Sequence, residues 1–301
     1  MFELKNEKIA IPVVLLAGLI WSFGPLVVRS MNEPNLVPWQ YIFVRGLTIF
    51  LIINFYLFFE EGKNFYKNYF KIGISGIIGG TGLGIAMITF IYSITNTSAA
   101  ITLLCLAAMP FFTALLGFLF LKEKVSVNVW ASIFIATVGI IIIALGNIEK
   151  KSLLGLIFGM TSSIGFSVFS VSLRWKKETP KFTTVAFSGF FCFTIAAIII
   201  YNSNIPFLST SYNSALFSIH GTLVCMGLIL YSIGSKAIPA AELTLLSLTE
   251  VIGGIFWVWV PILGINEIPS TNTIIGGFFL FMSIIYYSLT IKTNRRFIAL
   301  N

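Results

Sequence analysis

Charge is the scarcest commodity in this 301-residue chain. Only 10% of its residues are Asp, Glu, Lys or Arg, where a soluble globular domain carries about 25%. With 57% hydrophobic residues and a mean hydropathy of +0.96, it cannot cover its own surface with polar groups. Lipid is the solvent that tolerates such a chain. There is one histidine, and Cys105, Cys192 and Cys225 lie in apolar runs without CxxC or metal-ligand spacing. No metal site is therefore expected, and the cysteines read as small buried fillers. No GxxxxGK[ST] loop is present to cradle a phosphate. The apolar runs are unbroken, which argues against a β-barrel with its alternating ten-residue strands. No cofactor and no nucleic-acid partner are expected.

What is there is a series of apolar runs near twenty residues, each long enough to cross the roughly 30 Å hydrocarbon layer as a helix. Ten are expected, at about 9–28, 38–58, 71–93, 98–120, 127–146, 153–173, 182–201, 215–235, 240–263 and 272–291. Lys5 and Lys8 precede the first run as in a signal sequence, but the flank VVRSMNEP offers no small-x-small cleavage site, so an uncleaved span is expected. Charge supports the count. With an internal N-terminus, fifteen lysines and arginines fall inside, Arg29, Lys150 and Lys151 fall outside, and Arg45 lies within a span. That asymmetry is the positive-inside bias. It puts both termini in the cytoplasm and makes the basic balance a matter of topology. The Asn-, Ile- and Phe-rich composition points to an AT-rich genome and a bacterial inner membrane.

The chain looks doubled. AGLIWSFG (residues 17–24) returns as FGMTSSIG (residues 158–165), matching Gly18, Ser22 and Gly24 to Gly159, Ser163 and Gly165. Tyr92-Ser93-Ile94 before Ala99-Ala100 returns as Tyr231-Ser232-Ile233 before Ala240-Ala241. LKEKVS, with Glu123, has a weaker echo in GINEIPS, with Glu267. Five spans per copy is an odd number, so the second copy must cross the membrane upside down. The expected fold is an all-α polytopic membrane protein of ten transmembrane helices, built as two inverted five-helix repeats, residues 1–147 and 148–301. Inverted repeats are a common architecture of alternating-access transporters.

Four segments carry a family resemblance: LIWSFG with Trp21, FVRG with Arg45, MPFFTALLGFLFLKEKVS (residues 109–126) and LTEVIGGIFWVWVPILGINE (residues 248–267). In these the chain resembles the EamA family of the drug/metabolite transporter superfamily over essentially its whole length. The resemblance implies ten spans from two five-helix repeats. It also implies transport of amino acids, drugs, nucleobases or other metabolites; many members are exporters, and importers are also known. The second half departs from the family's Leu-Glu-Pro and Gly-Glu pattern: it reads Leu248-Thr249-Glu250-Val251 without the proline, and Gly264-Ile265-Asn266-Glu267 with two residues inserted. The entry and exit of that helix are expected to be drawn differently.

Polar residues inside the spans are the candidate site. A lipid-facing Glu250 would cost roughly 2.5–3.5 kcal/mol at the midplane, so it is expected to face the interior, either as a fixed hydrogen-bond donor or as a substrate or proton group. Arg45 either snorkels outward or pairs with a substrate carboxylate or with Glu250. His220 is either a rim residue or a proton-linked group. Trp21 and Tyr92 could line a cavity, and Ser22, Thr161, Ser162 and Ser163 could bond substrate or a neighbouring helix. Glu123 and Glu267 are gate candidates at the mouths. Glu242 is placed to answer a positive helix end; Trp257 and Trp259 read as an aromatic belt. Gly76, Gly80 and Gly84, with Gly73 a turn earlier, share one helical face for close packing. Pro25 and Pro110 are expected to kink their helices.

The function read from all this is secondary transport of a small organic metabolite, an amino acid or similar. Alternating access with proton coupling is expected, by a monomer or homodimer; an uncoupled facilitator or an exporter of other compounds is the alternative. Isolated acids and a single histidine do not make the clusters that a membrane-embedded enzyme, the distant alternative, would place at a membrane edge.

Overall fold

The computed structural model of the chain describes residues 6–123, 125–147, 153–176, 178–265 and 267–298. Lys5, Lys124, Lys150, Lys151, Lys177 and Asn266, which figure in the topology and motif readings above, lie outside them. Regular structure among the described residues is helical. We label the long helical segments in chain order: α1 Glu7–Arg29, α2 Pro38–Glu61, α3 Gly73–Asn96, α4 Ala99–Leu121, α5 Val127–Asn147, α6 Leu153–Trp175, α7 Lys181–Asn202, α8 Ser211–Gly234, α9 Ala240–Trp259 and α10 Thr271–Ile298. Nine of these, among the described residues, are long and apolar enough to cross a membrane; in α5 the apolar stretch is the shorter Val127–Ile142. Side-chain caps fix several starts. Asn6 accepts from Lys8 N, Ser98 from Ile101 N and Thr210 from Asn213 N, each satisfying an orphan donor of the first turn.

Three of the helices are broken. α1 is interrupted between Trp21 and Gly24, and α4 between Leu106 and Met109. Pro25 and Pro110 stand in the first turn of the following segment, where a missing N–H does no harm. α9 is interrupted between Leu246 and Thr249 with no proline at all. There, hydroxyls compete for the backbone: Ser247 Oγ donates to Thr244 O at 2.8 Å, and Thr249 Oγ1 to Leu246 O at 3.2 Å and Leu15 O at 3.3 Å. The single apolar run expected over 240–263 is thus two half-helices ending at Trp259. The breaks in α4 and α9 fall about 140 residues apart, at matching points of the doubled sequence.

Helix pairing has the pattern of an inverted repeat. α3 packs on α6 and α7, and α8 packs on α1 and α2; α2 pairs with α7, α5 with α10, α4 with α6, and α9 with α1. Exchanging each helix for the one five places along returns the same set. Glycines set the closest crossings. A Cβ at Gly18 would stand 2.1 Å from Thr249 Oγ1 and 3.1 Å from Ser247 O, and one at Gly159 would stand 2.7 Å from Cys105 Cβ. The two matched glycines therefore let α1 and α6 lie against the broken helices of the opposite half. Gly76, Gly80 and Gly84 face α7, where a Cβ would meet Thr184 Oγ1 at 2.9 Å, Phe187 Cδ1 at 2.6 Å and Phe191 Cδ1 at 2.5 Å. Gly73 does not belong to that face: its φ is +59° and nothing lies within 4 Å. It serves the turn into α3.

A buried polar cavity and two end clasps

Where the broken helices cross, the structure forms a cavity of about 510 Å³, part of it open to the outside. Its wall draws on both halves: Trp21 of α1, Arg45 of α2, Leu83 to Phe90 of α3, Leu106 and Met109 beside the α4 break, Ser162 and Phe166 of α6, His220 to Leu228 of α8, and Glu250 just past the α9 break. Five of the six residues singled out as site candidates meet here. Tyr92 does not. It packs between Trp39 and Phe158, at 5.3 Å from each ring centroid, away from the cavity.

Arg45 lies two turns into α2 and is 5% exposed, so its side chain stays inside rather than snorkelling to the rim. Nη1 makes one long contact to Met87 O at 3.4 Å, the guanidinium carbon sits 5.7 Å from the Phe90 centroid, and Nε is buried without a hydrogen-bond partner. A buried, unsatisfied guanidinium N–H is a costly arrangement unless something else accepts from it. His220 is not a rim residue either: α8 begins at Ser211, which puts the imidazole well inside, 2% exposed. Its Nδ1 shares a hydrogen bond with the Tyr41 hydroxyl, Tyr41 in turn stacks on Phe217, and a Cβ at Gly24 would come within 2.8 Å of its Nε2. Glu250 opens the second α9 half-helix, where the positive end of the segment favours an acid. Among the described residues its carboxyl makes neither an ion pair nor a hydrogen bond.

The other lining polar groups are already engaged. Trp21 Nε1 donates to Val224 O at 3.1 Å and Ser162 Oγ to Ala86 O at 2.9 Å. Ser163 Oγ donates to Cys105 O and Ser167 Oγ to Met109 O, holding the α4 break. Trp257 Nε1 donates to Ser22 Oγ at 2.9 Å and stacks on Phe23, so it packs α9 on α1 instead of forming a belt. Thr161 bonds its own helix at Ile157 O on an exposed face.

The two gate candidates occupy opposite ends of the bundle, each in the same setting. Arg174, at the end of α6, donates from Nε to Glu123 Oε1 at 2.6 Å and from Nη1 to the carbonyls of Ser235 and Ile238, both at 2.8 Å, where α8 ends. Glu123 Oε2 also accepts from Ala240 N, the first residue of α9. At the other end Arg29, closing α1, donates from Nε to Glu267 Oε2 at 3.2 Å and to the carbonyls of Ile94 and Thr97, where α3 ends. Glu267 Oε1 accepts from Ala99 N, the first residue of α4. Sequence reading counted Arg29 and Arg174 as topology markers only. The signal that could have found them is their place at the ends of matching spans of the repeat. Tyr41 had no such signal; its role depends on a helix crossing.

A bundle of apolar helices around a cavity that presents a cation, a carboxyl and an imidazole has the build of an integral membrane protein with a ligand site. The sequence model of the EamA-like transporter family matches residues 8–145, and over those residues the chain is similar to that family. Two proteins described as uncharacterized transporters, from two strains of Helicobacter pylori, are 26% and 25% identical over 259 residues, 82% of this chain and 84% of theirs. One crystal structure, at 16% identity, shares the fold over 95% of this chain and 99% of that chain, with a TM-score of 0.73. The similarities to named proteins all point to transport across a membrane.

Proposed function

We propose that the protein moves a small zwitterionic metabolite, of amino-acid type, by alternating access across the bacterial inner membrane, with protons as the coupling ion. The observation that carries this reading is a cation and a carboxyl facing one cavity with no hydrogen bond between them: Arg45 with a buried, unpartnered Nε, and Glu250, whose carboxyl accepts no hydrogen bond among the described residues. A substrate carboxylate satisfies the first and a substrate ammonium the second, while Trp21, Phe90 and Phe166 offer an apolar wall to the rest of it. A multiply anionic phosphate compound would find one cation where it needs several. Ten spans in two inverted five-helix repeats, residues 1–147 and 148–301, with both termini cytoplasmic, support the same cycle: the cavity lies between the halves and faces either side as they rock. Glu250 and His220 are the carrier groups for the proton.

The test is transport in proteoliposomes under an imposed proton gradient, offering a pool of central metabolites and identifying by mass spectrometry what accumulates over empty vesicles. Enrichment of zwitterions that collapses when the gradient is reversed supports the reading. Enrichment of anions or of uncharged compounds alone, by a folded and inserted protein, sinks the substrate assignment. Uptake indifferent to the gradient sinks the coupling.

A further inference from the structure

We infer that the two arginine–glutamate clasps are the two gates of the carrier, with Arg29 and Arg174 as the moving bolts. The inference rests on the alternating-access reading above. Each clasp gathers four chain segments through two side chains. Glu123 joins the end of α4 to Arg174 at the end of α6 and to the first N–H of α9, and Arg174 reaches the carbonyls that follow α8. Glu267 joins the segment after α9 to Arg29 at the end of α1 and to the first N–H of α4, and Arg29 reaches the carbonyls that end α3. Every carboxylate contact in both sets crosses from one half of the chain to the other.

Their relation to the broken helices makes them gates and not rivets. The start of α4 is held by Glu267 and its end carries Glu123; the start of α9 is held by Glu123 and its end leads to Glu267. Both helices are interrupted in the middle, beside the cavity. The half-helix Ala99–Leu106 packs on Thr249–Trp259 at one end, and Met109–Leu116 packs on Ala240–Leu246 at the other. One end can therefore part at its clasp, with its two half-helices swinging about the breaks, while the other end stays fastened. Each carboxylate follows a left-handed turn residue, Lys122 at φ +55° directly before Glu123 and Gly264 at φ +79° ahead of Glu267, so it sits at a corner and not within a rigid helix. The paired side chains are 21% and 31% exposed at one end and 23% and 22% at the other, wet enough for water to replace the contacts once they part. Both clasps are formed in this structure.

The experiment reads gate position without a substrate. Cys105, Cys192 and Cys225 are replaced by Ala, Leu228→Cys is placed in the cavity wall, and a membrane-impermeant maleimide is applied separately to each face of oriented vesicles. Glu267→Gln should raise labelling from the face that bears Arg29 by about threefold, the size of a partly exposed ion pair, and lower it from the opposite face. Glu123→Gln should do the reverse. Should the glutamine variants fold poorly, Arg29→Lys and Arg174→Lys keep the charge, lose the fork and should show the same opposition. Labelling that shifts on the same face for both ends, or does not move, overturns the inference. Because labelling needs no cargo, opposed shifts in a protein that accumulates no zwitterion would uphold the gates while the substrate reading falls.

Discussion

At the Glu123 end, Arg174 approaches its carboxylate to 2.6 Å and spreads over three carbonyls; at the Glu267 end, Arg29 stands at 3.2 Å and reaches two. The helix starts differ as well. α4 begins at Ser98, whose hydroxyl caps Ile101 N, so Glu267 supplements a cap that already exists. α9 begins after Pro239, which offers no side-chain cap, so Glu123 supplies what the helix lacks. A second acid, Glu242, stands in the first turn of α9 and accepts a hydrogen bond from the Tyr287 hydroxyl of α10; the matching position in α4 is the apolar Ile101. Pairing that is symmetric at the level of helices is thus unequal at the level of hydrogen bonds. On the gating inferred above, this inequality makes one opening easier than the other.

The comparison can be broken at several levels. The deepest is the pair of glycine crossings. Gly18→Leu and Gly159→Leu force side chains onto Thr249 and Cys105, and overpacking costs about 1–3 kcal/mol. Both should reduce folded yield and melting temperature in detergent, Gly18→Leu the more because its Cβ meets the break itself; parent-like melting would show that the α1–α9 crossing is loose. Next is the division of labour in the cavity. Glu250→Gln should abolish gradient-driven uptake and leave counterflow partly intact, whereas Arg45→Ala should weaken zwitterion binding about tenfold in both assays, the loss of a charge-assisted hydrogen bond. Equal damage to both assays by Glu250→Gln would remove its proton role. A smaller effect separates the ends: Glu123→Gln should lower stability by about 1 kcal/mol and Glu267→Gln by less, given the exposure of both pairs. A reversed order in thermal melts would overturn the ranking of the two ends. Smallest is Tyr287→Phe, expected to cost about 0.5 kcal/mol through Glu242 and read as a small drop in melting temperature that vanishes in a Glu242→Ala background.

The helical plan was open to reading because apolar length and lipid leave few options; the runs and the described helices agree to within a few residues at most ends. The α4 and α1 breaks were legible through Pro110 and Pro25. The α9 break was not, because Ser247 and Thr249 act through hydroxyl geometry, which spacing does not express. Trp21, Arg45, Ser162, His220 and Glu250 line one cavity, which is what the rule that polar groups within a span face inward expects. The same rule misplaced Tyr92, whose amphipathic ring is content between Trp39 and Phe158, and it set His220 too near the rim because α8 starts earlier than the apolar run. Arg29 and Arg174 escaped because a charge at a helix end has an adequate explanation in topology, and only three-dimensional contact adds a second.

Because Pro110 has no N–H, the carbonyl of Leu106 is left without its helical donor, and Leu106 and Met109 both border the cavity. A carbon-13 label in that one carbonyl would shift its amide I band away from the helical envelope, to a frequency set by whatever lies against it. Infrared spectroscopy of the unmutated protein in native lipid would then report, from a single oscillator in the cavity wall, whether the chamber holds water or cargo.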